Sequence, residues 1–176
     1  MKFPSLLLFT ALGTLAACNK HNDSPTIDFG PNGGITQRDA SGRLQGDPDP
    51  TDWTVDATWN QQEQDLFRSL GLDLNATATG NVTTSQIIAW PNPIGAGQAI
   101  FRYDTPVPVS CKFVIVDAKY QVVGPMLSSP AVRNAEFYYN VLGSAYQQGK
   151  RYRLYYVLYD GTAIYYKGHG DIKIGL

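Results

Sequence analysis

The sequence predicts a mainly β fold, a sandwich of about seven short strands preceded by one short amphipathic helix. Three observations point to it. Aromatic and β-branched residues are abundant, with 11 tyrosines against two methionines, and they crowd into the second half of the chain. Glycines and prolines, 17 and 11 in the whole chain, punctuate it into short runs, with a turn signal about every 8–12 residues in that half. The last two runs are separated by Asp160-Gly161, a two-residue hairpin signal.

The strands are expected at 83–90, 97–103, 110–117, 121–127, 133–141, 150–159 and 162–174. Pro91-Asn92-Pro93 breaks the chain after the first of them. A helix is expected from Trp59 to Leu70. Thr58 can cap it, Gln61 completes a capping box, and Gly71 stops it. Trp59, Leu66, Phe67 and Leu70 share one face, so this helix needs a surface to lie on.

Strand alternation sorts the final hairpin into two faces. With Asp160 and Gly161 as the loop, Tyr159 opposes Thr162 and Tyr156 opposes Tyr165. Leu154, Tyr156, Leu158, Ala163 and Tyr165 then form the core face. Arg153, Tyr155, Val157, Tyr159, Ile164 and Tyr166 form a second, aromatic face. Tyrosine rings beside an arginine suit stacking on sugars, so Arg153, Tyr155, Tyr159 and Tyr166 are the candidate ligand-binding residues. The competing expectation, and the preferred one, is that the 59–70 helix covers this face from within the chain.

The N-terminus has a different character. Lys2 precedes an apolar run from Leu6 that ends in Leu15-Ala16-Ala17-Cys18, too short to span a bilayer and shaped as a secretory signal. The Leu-Ala-Ala-Cys ending resembles the bacterial lipobox. That resemblance implies cleavage before Cys18, lipidation of its sulfur and acylation of its new amino group, which is enough acyl chain for stable membrane anchoring. Asn19 rather than aspartate follows the cysteine, which favours the outer membrane. Residues 1–17 are thus expected as a lipoprotein signal peptide. Residues 18–50, rich in Gly, Pro, Asn, Asp and Ser, are expected as a flexible tether, 51–80 as a helical cover segment and 81–176 as the sandwich.

Ala89-Trp90-Pro91-Asn92-Pro93, followed by the strand pattern over residues 86–176, is similar to the C-terminal sorting domains of the type IX secretion system. Those domains are Ig-like sandwiches with a Pro-Asn-Pro near the start and an Asp-x-x-Gly turn midway. Here Asp117-Ala118-Lys119-Tyr120 carries tyrosine where the glycine would fall. The resemblance implies an Ig-like fold and a Bacteroidota-like origin. Sorting is not carried over, because a lipobox already anchors the chain by another route.

Catalytic signals are sparse. His21 lies in the tether stretch. His169, in Lys167-Gly168-His169-Gly170-Asp171, reads as a strand-end histidine in a glycine bend in preference to a His-Asp pair. Motifs of the CxxC, HExxH and GxSxG kinds are missing from the sequence, and no cofactor is expected. Asp47, Asp49, Asp52 and Asp56 read as solvated turn carboxylates in preference to calcium ligands. With Cys18 lipidated, Cys111 stands alone in an apolar strand and is expected to be buried. A formal net charge of −1 gives no footprint for nucleic acid. These features together predict a lipid-anchored cell-envelope protein acting as a non-enzymatic interaction or accessory module. The alternative is a surface glycan-binding lipoprotein using the tyrosine face.

Overall fold

The computed structural model describes residues 25–30, 34–82 and 86–175. The signal segment, Cys18 and the first residues of the expected strand at 83–90 lie outside these. The fold is mainly β, but its strands form one curled antiparallel sheet of five: β1 (Ile87–Trp90), β2 (Gln98–Val116), β3 (Leu127–Asn140), β4 (Arg151–Asp160) and β5 (Ala163–Lys173). Among the described residues the expected seven separate strands are these five, in one sheet. Two of the expected strands, 97–103 and 110–117, are halves of the 19-residue β2. Pro106 and Pro108 lack N–H donors, and they do not end this strand. They displace its pairing with β3 between Asp104 and Val109 instead. The expected strand at 121–127 is a chain reversal in which Val122 bridges Val116. Asp117 Oδ1 holds that reversal by accepting from the N–H groups of Lys119 and Gln121. Tyr120 sits there at φ 59°, the left-handed region that glycine fills most easily.

β2 organises the sheet. One of its edges carries β3, while the other carries β1 along residues 100–103 and then β4 along residues 110–116. β5 follows β4, and just beyond β1 the chain returns to it. Ile94 donates to Lys173 O and accepts from the Gly175 N–H, both at 2.8 Å. The sheet therefore curls until β5 meets the continuation of β1, which creates an inside. Phe101, Phe113, Leu154, Tyr156, Leu158 and Ile172 fill that inner core, with Cys111 buried among them as expected.

A second core lies on the outer face. Val114, Val116, Tyr155 and Val157 are covered there by Ile27, Trp59, Phe67 and Leu74. Residues 152–158 of β4 are consequently buried without a break. A strand covered on both sides loses the inside-outside alternation from which faces are read.

The helical segment is shorter than expected, being α1 (Gln61–Leu66) followed by a 3₁₀ turn at Arg68–Leu70. Its cap is Asn60, whose side chain accepts from the Glu63 N–H while Glu63 accepts from the Asn60 N–H, in place of the Thr58–Gln61 box. Gly71 ends it at φ 66°, as expected.

The tether expectation also changes. Residues 27–50 lie on the folded body wherever they are described. Ile27 donates to Ala118 O at 2.8 Å, and Arg38 and Asn92 exchange main-chain bonds at 2.8 and 2.9 Å. Asp39 and Asp49 fold local turns by accepting from Ser41 and Thr51. Polar composition here reflects main-chain groups satisfied by carboxylates, not a solvated random coil.

Candidate functional site

The outer face of β4 and β5 gathers the chain's buried charge. Strand alternation puts Arg153 and Tyr155 of β4 beside Lys167, His169 and Asp171 of β5. Arg153 and Asp171, paired across the ladder, form a two-pronged bridge in which Nε donates to Oδ1 and an Nη to Oδ2, both at 2.7 Å. The second guanidinium nitrogen also donates to Asp28 O at 2.9 Å, and the guanidinium lies 5.4 Å from the centre of the Phe29 ring. Burial alone would lower the Arg153 pKa, but the bonds and charge of Asp171 outweigh it and raise it.

Residues 52–63 supply the remaining partners. Asp52 accepts from the main-chain N–H groups of Thr36 at 2.6 Å and Asp171 at 2.7 Å. Asp56 faces His169 Nδ1 at 2.5 Å and accepts from the Trp59 indole N–H at 3.1 Å. Lys167 donates to the carbonyls of Asp56 and Ala57 at 2.7 and 3.1 Å, with its ammonium 4.9 Å above the Trp59 ring. Burial lowers the Lys167 pKa, while Asp56 and Glu63 oppose the shift. Tyr155 donates to Glu63 Oε1 at 2.8 Å, packs edge-on against Trp59 and stacks near Tyr120. Its phenol is pushed far up by burial, with the Glu63 carboxylate adding to the effect.

The candidate ligand residues are therefore split. Arg153 and Tyr155 are buried under the chain's own segments 27–29 and 52–63, so neither ring nor guanidinium is open to a sugar. Tyr159 is half-buried at the margin of the outer core. Tyr166 is on the opposite face. The loop of the hairpin is Gly161-Thr162, with Asp160 opposite Ala163, and a shift between Leu158 and Tyr159 places Tyr166 opposite Leu158. One extra residue turns the tyrosine inward, where it stacks on Tyr156 at 6.3 Å. Tyr166 also lines a cleft of about 350 Å³ with Asp56, Ala57, Ala78, Gly80 and Lys167.

His169 and Asp171, adjacent on one face of β5, do not pair with each other. Each is taken by a partner more than 15 residues earlier in the chain: Asp56 for His169 and Arg153 for Asp171. Nor do the four aspartates converge. Asp49 bonds Thr51, Asp52 bonds Thr36 and Asp171, and Asp56 bonds His169 and Trp59. The Asp56–His169 contact is of the kind that orients an imidazole base, yet His169 does not line the neighbouring cleft. What the assembly does physically is pair Arg153 with Asp171, give the other buried polar side chains hydrogen-bond partners and clamp residues 52–63 to the sheet. Asn92, Asp28 and Glu63 were not foreseen in it. Asp28 contributes through its main-chain carbonyl, and Asn92 through the edge of β5, neither of which a sequence pattern announces.

No protein-family model matches the chain, and neither a curated protein nor a solved structure matches it.

Proposed function

We propose that this chain is a lipid-anchored protein of the outer membrane of a bacterial cell envelope, whose folded domain is a non-enzymatic interaction or accessory module. The observation that carries the reading is Leu15-Ala16-Ala17-Cys18 at the end of a short apolar run behind Lys2. Ile27 is already seated on the body, so the link from Cys18 reaches at most ~30 Å, which holds the domain close to the bilayer. The interaction reading draws support from β3. Among the described strands it pairs with β2 alone, and Tyr138 on it and Leu142 just beyond it are 62% and 73% exposed.

Metabolic labelling with radioactive palmitate, in a bacterial host with an outer membrane, tests the anchor. The full chain should take up label and follow detergent on phase separation, and Cys18→Ser should do neither. An unlabelled wild-type protein, or label that persists in Cys18→Ser, overturns the reading.

A further inference from the structure

The N-terminal segment joins the folded body at one end of the sheet, and that end is basic. Ile27 donates to Ala118 O at 2.8 Å, on the reversal that carries Lys119. Val116 of β2 faces Arg153 of β4, and Arg151 faces Lys173 of β5, so three neighbouring strand ends stand in one row. Lys150 adjoins them, its carbonyl accepting the Ile174 N–H at 3.0 Å. Lys119, Lys150, Arg151 and Lys173 are thus gathered on strand ends that lie about 10 Å apart from first to last.

Lys119, Lys150 and Arg151 are exposed, and Lys173 is half-buried. Among the described residues none of the four enters an ion pair. Of the acids that register or hydrogen bonds place here, Asp52 and Asp171 are buried. Asp28 and Asp117 remain, each bonded into its own turn, to the N–H of Gly30 and to those of Lys119 and Gln121. Four cations against two carboxylates leave this end positive. Two apolar side chains stand out beside them. Val122, on the same reversal, is 55% exposed, and Leu142 lines a depression with Ile174.

We propose that this end of the domain docks on anionic lipid headgroups of the bilayer in which the chain is anchored. Lys119, Lys150, Arg151 and Lys173 meet the phosphates, while Val122 and Leu142 enter the headgroup layer. The docking rests on the lipid-anchor reading of Cys18. Reach selects this end: the link from Cys18 to Ile27 spans at most ~30 Å. The hairpin tip at Asp160 lies ~30 Å farther on, along the 10 residues of β4. Bringing that tip to the bilayer would stretch the whole link along the domain, whereas the basic end arrives with slack. Charge acts in the same direction, since each basic side chain at an anionic surface strengthens binding about fivefold. The attraction fades beyond ~8 Å, so it works only on an end that the link already holds close.

The full chain is reconstituted into vesicles of pure phosphatidylcholine, or of phosphatidylcholine and phosphatidylglycerol in equal parts. Flotation reads anchoring, and acetylation followed by mass spectrometry reads the exposure of each lysine. The chain should float with both vesicles. Lys119 and Lys150 should react about fivefold more slowly on the anionic ones, and high salt should abolish the difference. Lys112, about 13 Å back along β2 from Val116, should react alike on both. Arg151→Gln combined with Lys173→Gln, with an unchanged melting point, should bring the Lys119 rate back toward its value on neutral vesicles. A floating chain with equal Lys119 and Lys150 rates on the two vesicles overturns the docking and leaves the anchor standing. Slowing that survives both high salt and the double variant overturns it too, because charge would not be its cause. A chain that fails to float overturns the anchor, and the docking with it.

Discussion

The carboxylate of Asp52 accepts the main-chain N–H of Asp171 at 2.7 Å, so two buried acids stand side by side beneath the N-terminal segments. Burial pushes the Asp52 pKa up to about 7. The neighbouring Asp171 charge adds to this, and the two N–H groups that Asp52 accepts oppose it. Burial raises Asp171 as well, against the pull of Arg153.

A carboxyl with a folded pKa above its unfolded value of ~3.9 takes up a proton on folding. Its contribution to stability is complete below about pH 4 and is lost as pH rises through about 7. Asp52→Asn removes this titration and leaves one main-chain N–H without an acceptor. Thermal melts should show wild type ahead of Asp52→Asn by a wider margin at pH 5 than at pH 8. A margin that is constant, or that grows toward pH 8, would contradict the assignment.

Tyr155 is enclosed by Trp59, Tyr120 and Glu63. Tyr155→Ala should therefore cost about 3–5 kcal/mol in urea denaturation, the usual penalty for deleting a buried aromatic ring. An unchanged midpoint would place the ring in solvent and reopen the outer face as a sugar platform.

Gly170 faces the inner side of β5, where a Cβ would collide with the Trp53 ring. That ring cannot step aside easily, since it is packed between Phe101 and Tyr156. Gly170→Ala should cost about 1–3 kcal/mol through overpacking, and should shift Trp53 fluorescence to longer wavelength. A melting point and spectrum identical to wild type would show that the ring is free to move.

Asn92 works as a surrogate strand for β5. Its side-chain amide donates to Asp171 O at 2.8 Å and to Thr36 O at 3.3 Å, and its oxygen accepts the Lys173 N–H at 3.0 Å. Asn92→Ala strands those groups and should cost about 2 kcal/mol or more. Hydrogen exchange reads the effect locally: the Lys173 amide should lose protection well before amides at the centre of β4. Uniform protection in the variant would mean that the edge is held by something else.

Strand existence was legible in the chain, and strand company was not. The runs around Arg151–Asp160 and Ala163–Lys173 stand within a residue or two of their expected positions, because dense aromatic and β-branched residues between turn signals leave little choice. Pro106 and Pro108 fall in the gap between the strands expected at 97–103 and 110–117, although a proline pair can be absorbed as a register shift within one long strand. The face of Tyr166 depended on a single bulged residue, which no local pattern marks. Arg153 and Tyr155 were recognised as a group needing a partner. Their partners, Asp28 and Glu63, lie 125 and 92 residues away from them, beyond the reach of any periodicity. Residues 34–50 looked unstructured because they are held mainly by main-chain bonds to distant elements, such as Arg38 to Asn92 and Thr36 to Asp52, and carry little apolar surface of their own.

The outer edge of β5 has a consequence for the order of events in synthesis. Thr79 and Gly80 bond it at Ile164 and Tyr165, Val55 bridges Gly168, Asp52 takes the Asp171 N–H, and Asn92 and Ile94 complete it through Lys173. Every one of these segments emerges from the ribosome long before the strand it grips, in the case of Asp52 by 119 residues. A growing chain therefore cannot fasten residues 52–55, 79–80 and 92–94 to this edge until β5 has been made, so these long-range contacts form late. The last strand thus acts as a clasp, closing over segments that were made well before it.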